Sequence, residues 1–397
     1  MKQYINLLKS EPILKRLSTI QLIAYFGAWF SNVAIYTLLL DMGVSATVIS
    51  FVAMLHFMAG VFQAPISGVI IDSIKPKTIM LTLIVFEILS TLMLVFITTD
   101  DDLVLLYFLI FIKMASASFY FTTEMSLLPK ILDGKKLQLA NELHSMIWSF
   151  SYTLGMASSG FFVYMFGVKN AFLLDAMMFI VSFFLLYFLE LNVNISKQKE
   201  NFLKMMGESL SYLKTNKKTL HLMLVHAFVG ITAFDALVAL MVDTYYSSII
   251  ATSLALGFIH ASRATGLVVG PMFLSSWITN KRVVYLFVFQ GLAVLLWSVF
   301  MYDFYFSLMA SFVVGFFTTT LWSYTYTLLQ KNTDENYYGR VVAYNDMFFL
   351  GTAGLTSFGI GFLKSLDFSL EFIAVVMGFG FFIGAFYFRW ILKRYKI

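Results

Sequence analysis

The chain alternates long, continuous apolar runs with short polar breaks. Runs near 17–40, 46–70, 77–98, 103–127, 138–164 and 168–190 form a first set, and runs near 219–245, 252–276, 283–302, 304–330, 341–363 and 369–391 a second. Crossing the ~30 Å hydrocarbon core of a bilayer takes about 20 apolar residues of helix, so each run is long enough. The runs are continuous rather than alternating residue by residue, which predicts helices and not barrel strands. One long polar stretch, 191–218, separates the sets. There Phe202, Leu203, Met206, Leu210 and Leu213 recur at helical spacing against Lys204, Glu208, Ser211 and Lys214. That pattern predicts an amphipathic helix on the cytoplasmic face. The expected fold class is an all-α membrane protein of twelve transmembrane helices, arranged as two six-helix bundles with pseudo-twofold symmetry. The expected domains are 1–190, a linker at 191–218, and 219–397.

Charge orients these helices. Among the 27 Lys and Arg residues, all but Lys113, Lys169, Arg263 and Lys364 fall into seven alternate stretches. These are the N-terminus, Lys75 with Lys77, Lys130 with Lys135 and Lys136, the middle segment, Lys281 with Arg282, Lys331 with Arg340, and the C-terminus. Basic stretches resist translocation, so they mark the cytoplasmic side and place both termini there. The intervening turns carry Asp41, Asp100 to Asp102, Asp243, Asp303 and Asp367. A multi-pass protein of the cytoplasmic (inner) membrane is expected, with no cleavable signal peptide and the first helix as insertion signal.

Composition narrows the function. The chain is 60% hydrophobic and 12% charged, and twelve spans leave no room for a soluble catalytic domain. The formal net charge of +5 comes from basic residues edging helices on one side, where they also meet anionic lipid headgroups, and is not a nucleic-acid signal. The chain has no cysteine, which excludes disulfides, thiolate metal sites and thiol catalysis. His56, His144, His221, His226 and His260 are scattered without metal-ligand spacing. No Gly-x-x-x-x-Gly-Lys-Ser/Thr loop occurs, which argues against ATP-driven transport. No cofactor and no enzymatic activity are expected.

The two helix sets look like copies. Asn141-Glu142 and Asn345-Asp346 open corresponding helices, Gly155 meets Gly359, Gly27 meets Gly230, and Asn32 meets Asp235, all at a near-constant offset. After helix 2 the chain reads Gly68-Val-Ile-Ile-Asp72-Ser-Ile-Lys75-Pro-Lys77. This resembles the G-x-L-A-D-R-x-G-R-K loop of the major facilitator superfamily, with Gly68, Asp72 and Lys77 matching. Three further stretches resemble its twelve-helix efflux branch, which includes macrolide and siderophore exporters. They run from Leu128-Pro129-Lys130-Ile131 to Leu139-Ala140-Asn141-Glu142-Leu143, over Ala171-Phe172-Leu173-Leu174-Asp175-Ala176, and over Tyr338-Gly339-Arg340-Val341. Leu109-x-x-x-Lys113-x-x-x-Ala117 is similar to the family's L-x-x-x-R-x-x-x-G pattern, tied to proton coupling. One departure stands out: the branch usually carries Gly-Asp early in helix 1, where this chain has Gly27-Ala28.

The resemblance implies a secondary transporter whose midplane cavity, between helices 1, 4, 7 and 10, is exposed alternately to each side. On that basis Gly68, Asp72, Lys77 and Arg340 are expected at a cytoplasmic gate. Asn32, Trp29, Tyr25 and Tyr36 on helix 1, with Tyr324 and Tyr326 on helix 10, are expected at the pocket. Expected partners are a small-molecule substrate, protons and membrane lipids, with the chain working as a monomer.

The two basic residues inside apolar runs are the functional lead. A Lys or Arg at a helix centre costs ~2.5–3.5 kcal/mol on insertion scales, so it needs a partner or water. Each has an acid on the preceding helix, which predicts the pairs Glu87–Lys113 and Asp235–Arg263. Such a pair either fixes helix packing or exchanges its partner for a proton or a cationic substrate group. Glu124 lies on the Lys113 face of the same helix, as a proton or cation station or as an interfacial acid beside Lys130. Glu142, Asp346 and Asp175 read as acids at helix starts. The Gly-rich helix 11 (Gly351, Gly354, Gly359, Gly361) suits close packing. The leading expectation is proton-coupled export of amphipathic small molecules by alternating access, as a multidrug-type antiporter. The alternatives are a lipid or lysophospholipid flippase, with Lys113 or Arg263 receiving a phosphate, and a non-transporting membrane receptor or scaffold.

Overall fold

The computed structural model describes residues 2–191, 202–334 and 337–396; the side chains at 65–66, 68–69, 72–73, 138, 202–206, 209–210 and 338–340 lie outside that description. The described residues are helical and contain no strand. They divide into two compact units, 1–43 with 62–198, and 44–61 with 199–397. The stretch 44–61, expected in the first bundle, therefore groups with the second.

The first unit begins with a short helix α1 (Lys2–Ser10), followed by α2 (Pro12–Asp41) and the second half of α3 (Ala46–Ser73). It continues with α4 (Pro76–Leu94), α5 (Leu103–Ile131), α6 (Gly134–Phe166) and α7 (Val168–Tyr187). Pro12 and Pro76 open their helices, where the missing N–H is not needed. Thr99 and Asp102 form a capping box ahead of α5. Gly167, at φ +82°, makes the one-residue turn between α6 and α7 that a side chain would strain. Around α2, a core of Leu17, Ile20, Ala24, Met80, Ile84, Leu127 and Phe179 ties four helices together. At one end α1 is fastened to α6, with Tyr4 donating to Glu142 at 2.7 Å and Lys136 paired with Glu11 at 2.7 Å.

The second unit holds α8 (Phe202–Thr215), α9 (Lys217–Ala227), α10 (Asp235–Met241), α11 (Thr252–Leu274), α12 (Val283–Phe300), α13 (Phe304–Lys331), α14 (Tyr338–Ser365) and α15 (Leu370–Tyr395). The linker helix α8 docks here: Tyr212 stacks on Tyr337 at 4.3 Å, and its hydroxyl accepts from the Asp334 amide at 3.1 Å. The predicted helix over 219–245 is not continuous. It passes through a 3₁₀ turn at Phe228–Thr232, breaks before α10, and ends in a π turn at Val242–Tyr246. The neighbour pattern recurs between units: α4 packs on α5 and α7, and α12 packs on α13 and α15.

Ten segments among the described residues are long and apolar enough to cross a membrane. The helices α6 and α11 lie outside that set; they carry His144 and Arg263 among their polar residues. The tightest helix crossing is α11 against α13, where a Cβ on Gly266, Gly270 or Gly315 would strike the facing backbone. In the predicted glycine helix, α14, Gly354 meets Met58 and Gly361 meets Ser50, while Gly351 and Gly359 have open space.

Candidate functional site

The first unit closes around one buried ionic cluster. Helix α5 carries Lys113 to its centre, fully buried. The Lys113 ammonium donates to Glu87 Oε2 on α4 at 3.1 Å, to Thr91 Oγ1 one turn along at 2.7 Å, and to Asp175 Oδ2 on α7 at 2.9 Å. It also faces the Phe179 ring, 4.6 Å from the centroid. From α2, the Ser31 hydroxyl also donates to Asp175 Oδ2. Three helices thus meet at the ammonium, and a fourth joins through Asp175. An uncompensated charge buried this deeply would cost several kcal/mol, so the partners are a condition of the fold.

The expected Glu87–Lys113 pair is in place, and Asp175 is its unforeseen third member. Asp175 was expected at a helix start, but α7 begins at Val168, and two turns of helix carry the carboxylate inward. It rests against Gly27, whose Cβ, if present, would lie 2.5 Å from Asp175 Oδ1. The chain has no carboxylate at Ala28 on α2, and a carboxylate from α7 stands beside the preceding residue, Gly27. Glu142 and Asp346 likewise lie in the third turn of their helices and not at the ends.

The second unit differs. Asp235 and Arg263 do not form an ion pair. Arg263 donates to the Thr232 carbonyl at 2.9 Å and stacks over Phe234 at 5.1 Å. The break ahead of α10 takes the Thr232 carbonyl out of the helical ladder; it accepts from the Phe234 amide at 2.9 Å, and the guanidinium is its second donor. Asp235 instead stands 3.8 Å from His260 Nδ1. Gly230 lets the 3₁₀ turn approach α14, since its Cβ would come within 2.7 Å of the Phe349 carbonyl.

Glu124 is 2% exposed; among the described residues no cation, Lys130 included, lies within ion-pair distance of it. Trp29 packs on Tyr152 at 4.6 Å, Tyr36 is buried, and Asn32 keeps a buried Oδ1 without a hydrogen bond. Tyr324 donates to Asn280 at 2.8 Å, at the turn before α12, and Tyr326 stacks on Trp322 at 5.1 Å beside His226. Of the expected gate residues, the side chains of Asp72 and Arg340, and Gly68 with them, lie outside the described residues. Lys77 donates to the Tyr187 carbonyl at 2.7 Å and so ties α4 to the end of α7. Among the described residues no His, Asp and Glu group could hold a metal ion. The signals that could have exposed the missed residues are modest: Asp175 and Thr91 are polar positions within otherwise apolar runs, and Gly266-x-x-x-Gly270 is a close-packing pattern.

Comparison with solved structures places the fold. A variant of the nucleoside transporter NupG superposes with a TM-score of 0.75 at 12% identity, covering 96% of this chain and 100% of that one. NupG itself gives 0.73 at 12% identity over 96% and 99%. The POT family transporter PepTSo gives 0.73 at 10% identity over 97% and 98%. At these identities the likeness shows the fold alone. No curated protein sequence matches. The model of the Major Facilitator Superfamily matches residues 17–356. The chain is a multi-pass membrane transporter, not an enzyme, and belongs to the Major Facilitator Superfamily.

Proposed function

We propose that this protein is a proton-coupled secondary transporter that exports amphipathic small molecules, in the inner membrane, with twelve spans and both termini on the cytoplasmic side. The observation that carries the coupling is the cluster at Lys113. Two buried carboxylates share one ammonium, so the fully ionised cluster has one negative charge in excess. A single proton makes it neutral. Asp175 Oδ1 is buried and accepts no hydrogen bond, which leaves an acceptor free to take that proton. A proton arriving on Asp175 weakens its hold on Lys113 and, through Ser31, on α2. Helix contacts made by the ionised form differ from those of the protonated form, and that difference is what lets a gradient bias an inward–outward equilibrium. The basic-inside charge pattern supports the orientation.

The test is transport of a substrate panel in proteoliposomes with and without an imposed pH gradient. Movement of at least one amphipathic compound against its concentration, only when the gradient is present, is the expected result. Uphill movement that ignores the gradient would remove proton coupling, and no movement of any compound would remove transport.

A further inference from the structure

A second polar cluster lies in the same unit, apart from the Lys113 cluster and unlike it in being unsatisfied. Three helices each contribute a stripe at i, i+4 spacing, which puts the members of each stripe on one helix face. Tyr25 and Trp29 come from α2, Tyr120 and Glu124 from α5, and His144, Trp148 and Tyr152 from α6. Glu124 is buried, and its Oε2 has no hydrogen-bond partner. The Tyr120 hydroxyl, within electrostatic reach of Glu124, is also unpartnered, as are both ring nitrogens of His144; the Tyr25 hydroxyl, equally within reach, has the Gln21 side chain beside it. Buried polar groups are nearly always satisfied, and so many orphans in one place call for a ligand. The Gln21 amide gives its hydrogen bond to the His144 carbonyl at 3.3 Å and also lies beside the Tyr25 hydroxyl.

The surroundings select the ligand's chemistry. Tyr25 meets His144 edge-on at 6.0 Å, and Phe121 meets it at 5.2 Å. Trp29 stands edge-on to Trp148 at 5.8 Å, and Trp148 stacks on Tyr152 at 5.5 Å. The wall is held close because Gly155 admits Trp29, whose Cβ would lie 2.8 Å from a Cβ there. Phe121 and Trp148 are 41% and 40% exposed, so the aromatic wall reaches the surface while the acid lies behind it. A buried carboxylate with no cation of its own, fronted by aromatic rings, matches a cation carried on an apolar body.

We propose that Glu124, with Tyr25, Tyr120 and the Trp29–Trp148 wall, is the binding site for an organic cation, which makes lipophilic cations the substrate class. This rests on the reading of the protein as a transporter, but binding is measurable without transport. The experiment is equilibrium binding of radiolabelled tetraphenylphosphonium to the purified full-length protein in detergent. Tetraphenylborate, the same shape with the opposite charge, is the competitor. Native protein should bind the phosphonium saturably and ignore the borate. Glu124→Gln should weaken binding roughly tenfold or more, Trp29→Ala by a smaller factor, and Glu124→Asp should retain most of it. Each variant must elute as native protein on size exclusion. Equal displacement by tetraphenylborate, or native-like affinity in Glu124→Gln, would overturn the site. Specific binding without transport in vesicles would leave the site standing and overturn the transport reading instead.

Discussion

Lys113 on α5 and Asp175 on α7 form a 2.9 Å ion pair in which both side chains are closed off from solvent. With Glu87 on α4 at 3.1 Å, the ammonium is the point where three helices of the first unit are pinned together. Removing Lys113 leaves two buried carboxylates without their cation. Lys113→Met should therefore destabilise the protein by about 3–5 kcal/mol, and adding Glu87→Gln and Asp175→Asn should recover much of that loss. Thermal unfolding in detergent of the single and triple variants checks this. A triple variant less stable than the single one would contradict it.

Gly27 has a specific duty at the same cluster. Its missing Cβ would lie 2.5 Å from Asp175 Oδ1, closer than any relaxed contact. Gly27→Ala should push α2 from α7 or rotate the carboxylate off Lys113, at a cost of about 1–3 kcal/mol. Ala28→Gly, one residue on, is the control. Unfolding midpoints and transport rates of the two variants should separate clearly, with Gly27→Ala impaired in both.

In the second unit the prediction concerns a hydrogen bond rather than an ion pair. Arg263 is the second donor to the Thr232 carbonyl, beside the Phe234 amide. Arg263→Leu should cost about 1–2 kcal/mol of stability, because a charge-assisted hydrogen bond is lost while the amide bond stays. Asp235→Asn should leave that bond intact and cost less. Comparison of the two unfolding curves decides it, and a larger loss in Asp235→Asn would restore the ion-pair reading.

The α11–α13 crossing depends on bare backbone. A Cβ on Gly315 would strike the Arg263 carbonyl, whereas Gly351 on α14 has nothing within 4 Å. Gly315→Ala should destabilise by about 1–3 kcal/mol or more, and Gly351→Ala should be close to neutral or slightly stabilising. Yields of monodisperse protein and unfolding midpoints read this contrast.

How far this was legible from sequence depends on the kind of contact. The apolar runs were plain because each helix must satisfy a length set by the bilayer. Glu87–Lys113 was legible because α4 and α5 are joined by a short turn, so equal depth implies proximity. Asp175 was not, since nothing in local spacing says that α7 packs on α4. Its place in the opening stretch of an apolar run suggested a cap, although two helical turns from Val168 already carry it inward. The break at Phe228–Phe234 contains no proline, and its single mark in the sequence is Gly230. Without the break the Thr232 carbonyl stays in the helical ladder, and Asp235 is the natural partner to assign to Arg263. The orphans around Glu124 are invisible in a sequence, because being unsatisfied is a property of three helices at once.

The central claim is that the Lys113 cluster couples proton movement to substrate movement. It is tested most directly by comparing two activities of Asp175→Asn in proteoliposomes: transport driven by an imposed pH gradient, and substrate exchange at equal pH. The account predicts that Asp175→Asn keeps exchange near the native rate while gradient-driven accumulation falls to the level of empty vesicles. Native accumulation in that variant, or a parallel loss of both activities in protein that is still folded, would contradict it.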